Sequence, residues 1–128
     1  MEADTFLAKN KLKYDVIQQL QDKLNHITED TYDEIISYIT NHKEFILNNH
    51  ENTVLFLWNI NTFMIYNFTK LEIILDIVIH FQDEIKEKVN EIEIMDILKS
   101  LLCGEYYLYS KGFFTIETIV HNSINFPS

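Results

Sequence analysis

The chain has 128 residues, a net charge of -10 and 47% hydrophobic residues. That length holds one domain with a real core and no need of disulfides, and the hydrophobic content excludes a disordered chain. With two Gly and one Pro, the many tight turns of an all-β sandwich or barrel are out of reach, as are the clustered glycines of a dinucleotide or phosphate loop.

The predicted elements are helices. In the first, about Thr5 to Asn25, Leu12, Val16, Leu20 and Leu24 recur every fourth position, and Ile17 and Ile27 complete an apolar stripe. Thr31-Tyr32-Asp33-Glu34 reads as a capping box for a short second helix to Thr40, with Ile35, Ile36 and Ile39 inward. Phe45, Ile46 and Leu47 form the apolar middle of a polar stretch and are expected to plug the core as one helical turn. The third helix, about Asn52 to Asn67, is apolar nearly all round, which predicts a central, buried helix with Trp58 as a core anchor. A buried strand pair is the alternative for this stretch, because short apolar runs are ambiguous.

Thr69-Lys70-Leu71-Glu72 reads as a second capping box, opening a fourth helix from Lys70 to about Val89. Leu71, Ile74, Leu75, Val78, Phe81 and Ile85 keep helical spacing along it, and Asp83 to Lys88 should reach solvent. Asn90 caps a fifth helix towards Ser100, with Ile94, Ile97, Leu98 and Leu101 inward. Gly104 is expected to break or bend the chain, Glu105 to Ser110 to resume as helix, and Lys111-Gly112 to close it. Thr115 then caps a last helix from Ile116 to about Ser123 that buries Ile119, Val120 and Ile124. Six or seven helices with short turns give an all-α fold, an irregular bundle or stacked helical hairpins, in a single domain spanning 1-128.

Charge narrows the chemistry. All 10 basic residues are Lys, so the bidentate guanidinium fork that reads phosphate and guanine is missing. An acidic chain of this kind is a poor nucleic-acid or anionic-membrane binder, and its partners are expected to be proteins. No stretch is apolar for the length a membrane span needs. The start, Met1-Glu2-Ala3-Asp4, does not resemble a signal peptide, so a cytoplasmic or intracellular protein is expected and the Asn67-Phe68-Thr69 sequon is set aside.

The lone Cys103, between Leu102 and Gly104, is expected to be a buried small hydrophobe. His26, His42, His50, His80 and His121 lack the spacing of a metal motif. His80 is expected as a hydrogen-bonded histidine near the core. Glu87, Glu91, Glu93 and Asp96 read as a solvated acidic face on which a basic partner could dock, since nothing apolar surrounds them to shift a pKa. No catalytic residue, cofactor or metal site is expected. Tyr106-Tyr107-Tyr109 and Phe113-Phe114 are the most unusual local feature. Tyrosine suits the rim of a core or an interface, because the ring buries carbon while the hydroxyl reaches water.

The stretch from Tyr32-Asp33-Glu34-Ile35-Ile36 to Ile119-Val120, with Glu91 to Ser100, Leu101 to Phe114 and Thr115 to Val120 in order, resembles the N-terminal helical region of trichomonad-type ankyrin-repeat proteins. The resemblance covers about three-quarters of the chain and rests on apolar pattern. It implies a helical domain placed before ankyrin repeats, and so a protein-interaction or structural module. The chain itself carries no T-P-L-H-type motif and no period of about 33 residues. The C-terminal end should then pack on following helices and expose an apolar patch. Its expected interface residues are Tyr106, Tyr109, Phe113, Phe114, Ile119 and Ile124. Two other readings stay open: a standalone helical adaptor binding a partner helix in a groove, and a small enzyme, which would need a deep pocket with converging polar groups.

Overall fold

A computed structural model describes the backbone of residues 2-125 and the side chains of residues 5-121. Among the described residues it holds nine α-helices and one 3-10 turn, and no strand. The order is α1 (Glu2–Asn25), α2 (Tyr32–Asn41), α3 (Lys43–Ile46), α4 (His50–Tyr66), the 3-10 turn (Phe68–Lys70), α5 (Leu71–His80), α6 (Gln82–Lys88), α7 (Glu91–Leu98), α8 (Leu102–Ser110) and α9 (Ile116–Asn125). The all-α class is as expected. The count exceeds six or seven because the short turn α3 is a helix of its own and the helix expected over 70-89 is two.

The helices form two layers. In the first, α1 and α4 run parallel: Lys13 Nζ donates to Asn52 Oδ1 at 2.6 Å, and Gln21 Nε2 donates to Asn59 Oδ1 at 3.1 Å. The next parallel neighbour is α7, with His50 Nε2 3.0 Å from the Glu93 carboxylate at one end of α4. At the other end Met64 lies against Gly104, just after α7. The helix α9 packs on α7 in turn.

The second layer holds the return helices. Tyr32 of α2 donates its hydroxyl to the Asp76 carbonyl of α5 at 3.2 Å, Lys43 of α3 pairs with Glu84 of α6 at 2.8 Å, and α5 packs on α8. Each long helix therefore comes with its own return: α1 with α2 and α3, α4 with α5 and α6, α7 with α8. The core lies between the layers, around Phe56, Ile60 and Met64 of α4 and Ile74, Leu75 and Val78 of α5, all essentially inaccessible. Burying each such side chain stabilises the fold by about 1.5–3 kcal/mol.

Side-chain caps start three helices. Asn49 Oδ1 accepts from the Asn52 N–H at 2.8 Å, Asn90 Oδ1 from Glu93 at 2.9 Å, and Thr115 Oγ1 from Thr118 at 3.2 Å. Neither expected capping box forms. Thr31 spends its hydroxyl on Thr28 across the α1–α2 turn, and Thr69 sits inside the 3-10 turn. At Phe81 the backbone leaves helical angles (φ -100, ψ 21) while the ring stays buried, so α5 ends and α6 begins with Ile85 and Val89 still in the core.

Gly104 does not break the chain. It lies inside α8, where a Cβ would sit 3.0 Å from Met64 Sδ, so the absence of a side chain allows α8 and α4 to approach. Gly112 does close α8, with φ +78. The Phe113 N–H bonds the Leu108 carbonyl at 2.9 Å and the Gly112 N–H bonds Tyr109 at 3.0 Å, the two bonds of a Schellman cap.

Several burial expectations are overturned. Trp58 is 48% exposed, because α4 is covered on one face only and presents Leu55, Trp58, Ile65 and Tyr66 outward. Leu12 is exposed with Phe6, Leu7 and Tyr14, because the buried stripe of α1 begins only at Val16. Val120 is exposed, since α9 turns Thr118 and Ile119 inward instead. His80 is exposed at the end of α5, its ring 4.8 Å from Phe81.

Candidate interaction surfaces

Six residues were expected to make an interface at the C-terminal end, and the structure divides them. Tyr106 is 71% exposed and Tyr109 40%. Phe113 and Phe114 are buried, which corrects the expectation of an exposed patch there. The Schellman cap turns the chain back, and Phe113 fills the core while its ring packs edge-on to Phe114 at 5.1 Å. Ile119 is half-buried, and the side chain of Ile124 lies outside the described residues.

Lys86 of α6 holds this corner. It donates to the Phe113 carbonyl, lies over the Phe113 ring at 4.5 Å and approaches Glu91 at 4.0 Å. Glu91 also accepts from the Thr115 N–H at 3.0 Å. The carboxylates expected as one solvated face thus have separate partners. Glu91 clamps the α8–α9 turn, Glu93 meets His50, and Asp96 pairs with Lys99 at 3.7 Å.

Leu102, Tyr106 and Tyr109 stand at i, i+4 and i+7, so they form one stripe along α8. Leu102 is 80% exposed. The opposite side of α8 carries the buried Gly104 and Leu108. On α9, Ile116 and Val120 at i and i+4 are exposed, while Thr118 is buried. Both stripes therefore face away from the helices that precede them. Leu102, Ile116 and Val120 were not anticipated as surface. Their i, i+4 spacing was readable, but spacing alone does not tell a covered stripe from an open one.

A second surface lies where the return helices begin. An open groove of about 830 Å³ is lined by the α1–α2 turn (Ile27 to Glu29), Tyr32, the 3-10 turn with Leu71, Glu72, Ile73 and Asp76 of α5, and Cys103 of α8. Cys103 is exposed on its wall, against the expectation of burial, because α8 begins at Leu102 and turns Gly104 to the core in its place.

Asp76 organises the groove floor. Its Oδ1 accepts from the Tyr107 hydroxyl at 2.6 Å, and its carbonyl accepts from Tyr32. Burial raises Tyr107 well above the ordinary tyrosine value of 10.0, helped by the hydrogen bond to Asp76 and the charges of Asp76 and Glu72. Burial also raises Tyr32, with Asp76 and Asp33 adding to it. Both phenols stay protonated at neutral pH and serve as donors within the fold.

Among the described residues no group of three or more His, Cys, Asp or Glu is arranged to hold a metal ion. No described helix is long and apolar enough to cross a membrane. Comparison with protein-family models, with curated proteins and with solved structures found no match to this chain.

Proposed function

We propose that this chain is a non-catalytic interaction module inside the cell, a unit of a helical scaffold whose last hairpin receives a further helix. This reading is the one implied by the resemblance to the helical region that precedes ankyrin repeats. The observation that carries it is the exposed stripe of Leu102, Tyr106 and Tyr109 on α8. Within the molecule each return helix meets the next one: α2 reaches α5 through Tyr32, and α5 meets α8 through Asp76 and Tyr107. The side of α8 turned away from α5 is apolar in the same manner. In stacked-repeat proteins a unit cannot bury its apolar face alone, and the neighbour completes it.

Joining a consensus ankyrin helical hairpin after Ser128 tests the reading. The fusion should melt in one transition at a higher temperature than the chain alone, and a Leu102→Glu, Tyr106→Glu variant should lose that gain. Two independent transitions, with the chain's own unchanged in both proteins, would contradict it.

A second reading, a standalone adaptor that binds a partner helix, is favoured by the outer face of α4. Leu55, Trp58 and Ile65 at i, i+3 and i+10 suit an amphipathic helix laid along them. It would show as quenching or shift of Trp58 fluorescence when the partner binds.

A further inference from the structure

We propose that the groove at the starts of the return helices binds a basic, extended peptide, whose cationic side chains meet Glu29, Glu72 and Asp76 while its aliphatic parts lie on the apolar wall of Phe68 and Leu71. The proposal does not rest on the scaffold reading, since the groove and the α8 stripe share no residue.

The shape argues for an extended ligand. The walls come from the α1–α2 turn, the 3-10 turn, α5 and α8, so the groove crosses successive hairpins rather than closing over one point. Its polar groups are nearly all acceptors. Three carboxylates line it against one ammonium, Lys70. Tyr32 has already committed its proton to the Asp76 carbonyl and presents only oxygen lone pairs. Asp76 uses Oδ1 for Tyr107 and retains the acceptor capacity of its second oxygen. A donor-rich cation complements such a lining, whereas an anion would meet repulsion. Phe68 is 68% exposed at the rim, an aromatic face of the kind on which guanidinium and ammonium groups settle. The upward displacement of Tyr32 and Tyr107 by neighbouring carboxylates agrees with a negative field at the floor.

The probe is a short labelled peptide alternating Arg and Leu, titrated into the full chain by fluorescence anisotropy, with an otherwise identical Glu–Leu peptide beside it. Glu29→Gln with Glu72→Gln removes two exposed groove charges and leaves Asp76 to hold Tyr107. Glu51→Gln with Glu87→Gln removes the same charge from exposed sites outside the groove. Saturable binding of the Arg–Leu peptide is expected, weakened about tenfold by the groove pair and less than about twofold by the outer pair. Phe68→Ala should weaken it as well, and amide shifts should map to the stretch from Phe68 to Asp76. Equal weakening by both charge pairs would reduce the effect to bulk acidity and overturn the site. Absence of saturation, or equal binding of the Glu–Leu peptide, would overturn it too.

Discussion

The helices α5 and α8 play the same part in successive hairpins, yet their surfaces differ. Leu71, Ile74, Leu75, Ile77 and Val78 of α5 are buried, since α4 lies on one side of it and α8 on another. The helix α8 buries Gly104 and Leu108 and leaves Leu102, Tyr106 and Tyr109 outside. Both helices are rich in apolar residues, so composition does not separate them. Place in the stack does: a middle return helix is covered from both sides, and α8 from one.

Substitution gives the sharpest contrast. Leu75→Ala should cost about 3 kcal/mol, transfer plus cavity, while Leu102→Ala should stay within about 0.5 kcal/mol. Denaturant titration of both variants checks it, and comparable losses would break the contrast. Gly104→Leu comes next. It forces a side chain towards Met64 Sδ and should cost about 2 kcal/mol by overpacking where α8 meets α4.

The link between the two helices is smaller. Tyr107→Phe removes the donor from Asp76 and should cost about 1 kcal/mol. Its pH dependence has a definite sign. Because the folded protein raises Tyr107 above 10.0, the stability it contributes is complete below pH 10.0 and falls as pH rises towards the folded value. The wild-type chain should therefore lose stability in alkali more steeply than Y107F, as followed by circular dichroism.

The smallest effect concerns α3 and α6. The hydrogen bond from Lys43 holds the Glu84 carboxyl below its ordinary 4.5, with its own backbone N–H adding to this. A lowered carboxyl stabilises above 4.5 and loses that contribution as pH falls through the folded value. Both side chains are over a third exposed, so screening keeps the term below about 1 kcal/mol. Lys43→Met should flatten acid unfolding slightly, and a large change there would mean the pair is far better shielded than its exposure indicates.

Much of the fold was legible because the signals were local. The four-residue recurrence of Val16, Leu20 and Leu24, the cap at Asn90 and the glycine at 112 each act within a turn or two of chain, and each appears where the pattern put it. The errors came where a neighbour decides. Thr31 had the right spacing for a capping box, but Thr28 across the turn took its hydroxyl. Trp58 had the composition of a core anchor, yet α1 and α7 flank α4 without covering its outer face. Phe113 and Phe114 seemed a surface pair because they follow three tyrosines, but the Schellman turn that Gly112 permits folds them inward. The groove was invisible in sequence, since its residues span Ile27 to Cys103 and meet only when three hairpins stack.

The central claim is that the molecule is closed in the middle and open at the last hairpin. Native-state hydrogen exchange of the chain alone tests it most directly. Amides of α4 and α5 should exchange only through global unfolding, while those of α8 and α9 open earlier, with a lower free energy of exchange. If α8 and α9 prove as protected as α5, the last hairpin is already complete, and the open-end account is wrong.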